Sequence, residues 1–501
     1  MVLFVRPSVC RAEDSSAILE RLNQLENEIS TLKAELKKSK AIPAQRVTPT
    51  EEAKVDNSRL TEPEAIDEDL FKPQLSSKKS STKSKEALAK RIKDLGQFGI
   101  TYRSEGVSLD SMRLGAYGES VLGRKESGNG LKNGFDANRL VLLGTYPISE
   151  DIIFNTELEF EHGGIAKDAD DKLNGAIEVE QLFVDFMAND YLNFRSPGVD
   201  VVPMGYVGLF HEATQYYSTN RPEIYDGLIP STWFAPATSV YGKITDSLNY
   251  QFQISSAMVD AGTVAEDEDG NVPQGGYDPG ISGTDALSLG RSPIGDRTQL
   301  SNNLAYALRT SYSPNVIPGL SGSTSIYYTN DTTARGAYGT NPNGSTRLLG
   351  KSDLAMFDTE LRYRIPNTGL ELRSEYVNTS FGDTDNLRAN NDRDSTNNVG
   401  SSMYGYSFEA AYHIPLLAGK VANWEFVPFY RYSRINLQTS GVRGSDADVR
   451  SGAGSRRYNT IGAALFPTPK VVLKLDYQLV EDDDNKSPLE RALLAGVGFF
   501  F

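Results

Sequence analysis

The chain is poor in the residues that build metal and redox centres. Its 501 residues include one cysteine, Cys10, two tryptophans and three histidines. A single cysteine excludes an intrachain disulfide framework and a thiolate metal site. The histidines, His162, His211 and His413, lie far apart in the sequence and show no ligand spacing. The sequence therefore predicts neither a metal site nor a cofactor.

Long apolar runs are missing too, and the net charge has the wrong sign for a nucleic-acid partner. No run approaches the roughly 20 apolar residues that a membrane helix requires. The formal net charge is -15 at pH 7, which disfavours binding to DNA or RNA. The chain is rich instead in tyrosine (25), phenylalanine (21) and glycine (44). Aromatic residues together with turn residues favour a protein of many strands and many turns.

The first residues have features of an export signal. The stretch "MVLFVRPSVCRAEDSS" contains a short apolar run, then Cys10-Arg11-Ala12 and an acidic segment. Ala12 is a candidate for the residue before a cleavage site, although the apolar run is shorter than in a complete signal. We interpret residues 1–14 as the remnant of an export signal. An ordinary N-terminus with chance hydrophobicity is the alternative.

A heptad stripe follows in residues 15–38. A helix of this length is marginal alone, so the stripe predicts an oligomeric coiled coil; packing on the chain's own domain is the alternative. Residues 39–97 are dominated by Pro, Ser and Lys and have too few apolar residues for a core, which indicates a linker. The apolar positions of the stripe are Ile18, Leu22, Leu25, Ile29, Leu32 and Leu36.

From about residue 98 the apolar period changes to two. In "DIIFNTELEFEHGG", Ile152, Phe154 and Leu158 alternate with residues such as Asn155 and Glu157. The stretches "SMYGYSFEAAYHIP" and "KVVLKLDYQLV" show the same alternation of an apolar, aromatic face with a charged one. A β-sandwich produces this pattern as well, so strand length and loop length have to separate the two folds.

The lengths of the connections favour a barrel. Short connections such as "PISED", "PNTG" and "PTPK" alternate with long polar ones such as "GGIAKDADDKLN" and residues 259–299. Short turns at one end and long loops at the other are typical of outer-membrane barrels. Residues 98–501 are therefore predicted to be all-β, an antiparallel transmembrane β-barrel of about 16 strands. The predicted strands begin near residues 110, 137, 151, 176, 203, 236, 247, 300, 318, 351, 368, 401, 423, 455, 469 and 488.

The chain ends on "ERALLAGVGFFF", an apolar stretch in an acidic chain. In the last strand one face carries Leu493, Ala495, Val497, Phe499 and Phe501, and we expect this face to contact lipid. Pairing of this strand with the first would remove both sheet edges. The ending resembles the C-terminal signal by which the barrel-assembly machinery recognises outer-membrane proteins, with Gly496, Phe499 and Phe501 at the matching positions.

A second resemblance lies in "VPMGYVGLFHEATQYYSTNRPEIYDGLIPSTWFAPA". This stretch is similar to a segment of porins related to the phosphate-selective porin O/P family, including DcaP-like porins. A coiled coil before a sixteen-stranded barrel is similar to DcaP-like porins as well. The resemblance implies a homotrimeric channel for small anions in the outer membrane of a Gram-negative bacterium. The coiled coil would then lie in the periplasm. The matching pieces are Pro203-Met204-Gly205, His211-Glu212, Asn220-Arg221-Pro222 and Ile229–Trp233, with "FEHGG" at residues 160–164.

Residues 212–235 form the third long loop of this prediction, the loop that enters the barrel in general porins. The loop would place carboxylates opposite arginines of the barrel wall and create a transverse field across the pore. An ordinary surface loop, and arginines paired separately with neighbouring glutamates, are the alternatives. The candidate constriction residues are Glu212, Arg221, Glu223 and Asp226 on the loop, and Arg362, Arg364, Arg373 and Arg431 on the wall.

These features predict a porin for small hydrophilic solutes with a mild preference for small organic anions. The dense ladder of lumen arginines and lysines found in phosphate porins is not recognisable. Three alternatives stay open: an envelope tether with a non-conducting barrel, a cation-tolerant general porin, and a barrel enzyme, for which no catalytic spacing and no GxSxG elbow is found. The expected partners are membrane lipid and lipopolysaccharide, the barrel-assembly machinery and small anionic solutes. Peptidoglycan is a further candidate partner, and no nucleic acid is expected.

Overall fold

A two-residue period places apolar side chains on one face of each strand and polar side chains on the other. In a computed structural model, strands of this kind pair antiparallel with their neighbours in sequence, and the last strand pairs with the first. The result is a closed barrel of sixteen strands, which confirms the predicted fold class. The structure describes residues 112–127, 130–163, 166–167, 173–174, 177–230, 232–259, 263–264, 277–278, 287, 303–332, 338–340, 346–348, 351–384, 386, 400–416, 424–440, 455–482 and 490–501.

The barrel strands, numbered in chain order, are 9 to 18 residues long. A short segment, Ile414–Pro415, continues β12 beyond His413 and pairs with β13. No helix in the described part of the chain is both long and apolar enough to cross a membrane. The strands are β1 Arg113–Ser127, β2 Gly130–Pro147, β3 Ile152–Glu161, β4 Ile177–Met187, β5 Asn193–Val201, β6 Phe234–Thr245, β7 Leu248–Ser256, β8 Leu304–Tyr312, β9 Leu320–Thr329, β10 Leu354–Arg364, β11 Leu370–Phe381, β12 Ser402–Tyr412, β13 Glu425–Ser440, β14 Ser455–Thr468, β15 Val471–Asp482 and β16 Glu490–Phe500.

The outer surface of the barrel is apolar and the inner surface is largely polar. On β15, Leu473 and Leu475 are 43% and 55% exposed, whereas Lys474 and Asp476, which alternate with them, are buried. A continuous exposed apolar belt is unfavourable in water, so the outward residues face lipid, as the alternation predicts. Charged side chains that alternate with this belt, such as Lys474 and Asp476, therefore lie in the interior of the barrel.

The seam between the first and last strands closes the sheet. Tyr117 of β1 pairs with Phe500, and the pairing continues to Glu126 with Arg491. Closure leaves neither strand with an unpaired edge, which the hydrocarbon core of a membrane would not tolerate.

Most strands begin within about four residues of the predicted positions, but two differ. Strand β2 begins at Gly130 and not near residue 137. The residues predicted to form the first long loop, "GRKESGNGLKNGFDA", instead extend β1 to Ser127 and start β2. The fifth strand was predicted near residue 203, which is wrong: β5 is Asn193–Val201. Its sequence "NFRSPGVDV" carries inward Arg195 and Asp200, and these buried groups form an ion pair at 2.7 Å. The apolar residues that follow are buried within the next loop instead.

Candidate functional site

The connection between β5 and β6, residues 202–233, lies inside the barrel and is called the inserted loop. It contains helix α1 (Tyr206–Leu209), a 3-10 turn (Ala213–Gln215) and helix α2 (Ile224–Gly227). Helices of this length are not stable alone, so contacts with the barrel wall must hold them in place.

Apolar contacts attach part of the inserted loop to the wall. The rings of Trp233 and Tyr327 lie 4.6 Å apart between centroids. Leu228 packs in a buried apolar cluster that includes Met403 of β12. Gly405 makes room for this packing, because a Cβ there would stand 2.4 Å from a methyl carbon of Leu228. Burying each large apolar side chain contributes roughly 1.5–3 kcal/mol.

An ion pair anchors the loop at the start of helix α2. Glu223 accepts hydrogen bonds from Nε and Nη2 of Arg431 on β13 at 3.1 and 3.0 Å. Ser433 and Gln478 also donate to this carboxylate, at 2.7 and 2.8 Å. Burial on its own raises the pKa of Glu223, but Arg431 and the hydrogen-bond donors hold the pKa below its ordinary value. Glu223 is therefore a charged anchor in the interior of the barrel.

The middle of the loop reaches the end of the barrel that carries the short turns. The hydroxyl of Tyr217 donates to Glu371 at 3.0 Å and lies 3.0 Å from Nε2 of His413. The Thr219 N–H donates to Asp476 of β15 at 2.6 Å. Burial raises the pKa of Tyr217, so its phenol stays protonated and able to donate. Polar contacts on both β11 and β15 thus fix this part of the loop.

Two predicted wall arginines lie side by side beneath the inserted loop. Arg362 of β10 and Arg373 of β11 are register partners. Both donate to the carbonyl oxygen of Gln215, at 3.3 and 3.2 Å. Arg362 stacks on the ring of Tyr206 at 3.5 Å, and Arg373 stacks on Tyr217 at 4.1 Å. Like charges opposite each other on adjacent strands repel, and the carbonyl and the aromatic faces offset that repulsion.

Arg362 and Arg373 differ in their carboxylate partners. Arg373 pairs with Glu371 at 2.5 Å and with Glu409 at 3.4 Å. Arg362 forms no ion pair with a carboxylate among the described residues. It is only half-buried, and its positive charge faces the interior with none of the described carboxylates in direct contact.

The arginine pair lines a small cavity of about 40 Å³ next to the inserted loop. Its acidic lining residues are Glu360, Glu375 and Glu409. Arg309 pairs with Glu360 at 3.1 Å, and the hydroxyl of Tyr225 donates to Glu375. Both signs of charge are therefore present around one space, on adjacent parts of the wall.

The two remaining wall arginines lie in different surroundings. Arg431 is buried and is committed to Glu223 and to Glu409, the latter at 3.1 Å. The Arg364 side chain is 54% exposed at the short-turn end, where it pairs with Glu425 at 3.0 Å. The predicted arginine wall is thus divided among three environments, and Arg364 is outside the residues that line the cavity.

The other predicted loop residues are also placed by the structure. Glu212 is buried directly before the 3-10 turn. Arg221 donates through Nη2 to the carbonyl oxygen of His211 at 3.4 Å. Asp226 lies in helix α2, and its side chain is outside the described part of the chain.

The residues that match the assembly signal occupy both faces of β16. Phe499 and Phe501 lie on the outer face with ring centroids 6.1 Å apart. Gly496 faces inward, where a Cβ would stand 3.0 Å from a methyl group of Thr219. Gly496 therefore has a packing role in the folded barrel. The predicted coiled-coil residues Ile18, Leu22, Leu25, Ile29, Leu32 and Leu36 lie outside the described residues, as do the export remnant and the linker.

Sequence reasoning missed the residues that position the arginine pair. Gln215 acts through its backbone carbonyl, which carries no side-chain signal. Tyr206 and Tyr217 belong to an aromatic-rich stretch in which no spacing marks these two rings as partners of arginine.

No protein-family model matches the chain. An uncharacterised protein of Aquifex aeolicus is 29% identical over 123 residues, and the match covers 25% of this chain and 27% of that protein. Among solved structures, the outer-membrane channel DcaP of Acinetobacter baumannii aligns with a TM-score of 0.45 and 9% identity, over 78% of this chain and 97% of that chain. The anion-selective porin of Comamonas acidovorans aligns with a TM-score of 0.43 and 12% identity, over 78% and 99%. Salmonella typhi OmpF in complex with daunomycin aligns with a TM-score of 0.44 and 12% identity, over 78% of this chain and 97% of that chain. The architecture described above rests on the barrel's own strand pairing and not on these likenesses.

Proposed function

We propose that the chain is an outer-membrane porin, related to the DcaP-like porins, that lets small hydrophilic solutes diffuse passively with a mild preference for small organic anions. The observation that carries this proposal is the position of Arg362. Its guanidinium faces a cavity beside the inserted loop and contacts a neutral carbonyl and an aromatic ring.

A guanidinium in this position suits a passing carboxylate. It offers five N–H donors in a planar fork, which matches the two oxygens of a carboxylate. Arg373 is adjacent, so the positive potentials of the two groups add at the cavity. Arg373 is already paired with glutamates, so contacts with a solute should be weak enough for release.

The preference should be mild because the cavity holds charges of both signs. Glu360, Glu375 and Glu409 line it together with Arg362, Arg373 and Arg431. Two of the glutamates are engaged by arginines, at 3.1 Å in each case. A pore of this kind presents charges of both signs around one space and does not exclude one sign.

Reversal potentials in a salt gradient test the proposal. Arg362→Ala should shift the selectivity of single channels in planar bilayers toward cations, and Arg362→Ala with Arg373→Ala should shift it further. Arg364→Ala is the matched control, since it removes an arginine from the same strand outside the cavity. Equal reversal potentials for Arg362→Ala and Arg364→Ala would contradict the proposed role. A wild-type barrel that does not conduct would favour the tether alternative.

We propose an orientation in the membrane from the two unlike ends of the barrel, and the periplasmic trimeric coiled coil from the resemblance to DcaP-like porins. The long-loop end would face the outside, beside lipopolysaccharide, and the short turns would face the periplasm. The predicted coiled coil would then lie in the periplasm near peptidoglycan and join three subunits.

A further inference from the structure

Three buried side chains with metal-binding atoms meet where the inserted loop touches β3 and β4. Glu157 lies on β3, Glu180 on β4 and His211 on the inserted loop. One ligand atom from each lies within 4.8 Å of the other two. The residues are 1%, 1% and 0% exposed. These are the side-chain types that bind first-row divalent metal ions.

An irregularity in the sheet brings the two carboxylates together. The pairing of β3 with β4 passes from Glu157–Gln181 to Leu158–Val179 and leaves Glu180 without a partner residue. Such a bulge re-aims a side chain, and here Glu180 and Gln181 are both buried in the interior. The bulge thus places a second carboxylate beside Glu157.

No Lys or Arg side chain among the described residues contacts Glu157 or Glu180, and the carboxylate of Glu159 beside Glu180 adds a third acidic group. No N–H or O–H donor within the described part of the chain reaches the oxygens of Glu157 or Glu180, and Nε2 of His211 has no hydrogen-bond partner there. The nearby Arg139 is taken by Glu119 and Glu159, at 2.9 and 3.1 Å. Two buried carboxylates without a cation are strongly unfavourable, so the cluster requires either a positive ion or bound protons.

The orientation of His211 favours a metal ion. Its Nδ1 lies 3.3 Å from the carbonyl oxygen of Gly208, which assigns the proton to Nδ1 and leaves the lone pair of Nε2 available. That Nε2 lies 3.7 Å from an oxygen of Glu157, too far for a hydrogen bond. Two ligands of a tetrahedral ion with bonds of about 2.0 Å are separated by about 3.3 Å. A small adjustment would therefore seat an ion between these atoms.

Aromatic rings hold the imidazole in this position. The ring of Tyr117 is 5.8 Å from that of His211, and the ring of Phe234 is 6.1 Å away in an edge-on arrangement. The histidine is therefore fixed by packing as well as by its backbone hydrogen bond, as ligating histidines commonly are.

We propose that Glu157, Glu180 and His211 bind one divalent first-row transition-metal ion, of which Zn²⁺ is the representative probe. A nitrogen ligand with two carboxylates favours such an ion over Mg²⁺ and Ca²⁺, which prefer oxygen alone. The ion would tie the inserted loop to β3 and β4, whereas the Glu223–Arg431 pair ties it to β13. The proposal does not depend on which solute the barrel conducts.

Metal uptake by the full-length protein tests the site. The protein, purified in detergent, is stripped with a chelator, dialysed and titrated with Zn²⁺ by calorimetry. Binding of one ion per chain is expected. Co²⁺ in its place should give the visible absorption of a nitrogen- and oxygen-ligated ion. Glu157→Gln with Glu180→Gln should weaken binding by at least about 100-fold, since loss of outer-shell partners alone costs about 10–100-fold.

Two further variants keep the outcome decisive. His211→Asn changes only the loop ligand and should also weaken binding, in case the double variant does not fold. His162→Asn removes an exposed histidine that contacts Asp136 and is not part of the cluster, and it should leave binding unchanged. Absence of stoichiometric uptake by the stripped wild type, or equal uptake by the glutamine double variant, would overturn the site and assign shared protons to the carboxylates.

Discussion

Gly498 of the last strand lies directly against Ala213 of the inserted loop. A Cβ at residue 498 would stand 2.3 Å from the Cβ of Ala213, far closer than two such carbons can approach. The inward face of β16 is thus kept free of side chains at this point, and the backbone of the strand forms the surface on which the 3-10 turn rests.

Gly498→Val should therefore displace the inserted loop while leaving the barrel closed. The expected result is a changed and noisier single-channel conductance, because the loop narrows the interior next to β16. Gly134→Val is the control, since no atom lies within 4 Å of a Cβ built at Gly134. Identical channel recordings for the two variants would contradict the packing role of Gly498.

Glu223→Gln should destabilise the inserted loop by about 3–5 kcal/mol, because it leaves Arg431 buried without its main counter-charge. Hydrogen exchange of the backbone amides in residues 202–233 would measure the loss directly. Glu481→Gln removes an exposed pair with Arg457, separated by 3.5 Å, and should cost no more than about 1 kcal/mol. If the amides of the inserted loop stay protected from hydrogen exchange in the Glu223→Gln variant, the Glu223–Arg431 pair does not anchor the loop.

Acid should weaken the same anchor. A carboxyl group whose pKa is lowered in the folded state contributes stability above its ordinary pKa, and this contribution is lost as the pH falls through the lowered value. The fluorescence of Trp233, which is buried in the loop, should therefore shift to the red at acidic pH in a Trp424→Phe background. In the Glu223→Gln variant this acid-induced shift should be absent or much reduced. An unchanged shift would mean that protonation of other groups, and not of Glu223, releases the loop.

The heptad stripe predicts contact between subunits at Leu25. A cysteine introduced there in a Cys10→Ser background should give disulfide-linked dimers under oxidising conditions, because one cysteine per chain can join only two subunits. A cysteine at Lys37, off the stripe, serves as the control. If both variants stay monomeric, the coiled-coil prediction is contradicted. The barrel fold would be unaffected by that result, because its described strands begin at Arg113.

The barrel was predictable because its signal is local and repeated. Tyr404, Tyr406 and Phe408 point outward on β12 because the period of a strand is two, and this holds whatever its neighbours are. The fifth strand was misplaced because Arg195 and Asp200 break the expected face with a buried ion pair. A compensating pair between side chains five residues apart cannot be read from alternation.

The site was less predictable because its contacts join distant segments. The presence of Glu223 and Arg431 in one site was expected, but their direct pairing spans 208 residues. Arg364 lies on the same strand and face as Arg362, two residues further along. Arg362 lines the cavity, whereas Arg364 is exposed to solvent at the short-turn end of the barrel. The Glu157–Glu180–His211 cluster depends on a bulge, and no spacing in the sequence announces it.

The seam between β1 and β16 has a consequence for the order of assembly. It pairs Tyr117 with Phe500, the described residues that are almost farthest apart along the chain. Contacts of such separation form slowly, so the seam should be late in folding. Until it forms, the nascent sheet has a gap on the side where Ala213 comes to rest, and the loop can enter sideways without threading. Protection of a cysteine at residue 213 from labelling should then appear together with closure of the seam.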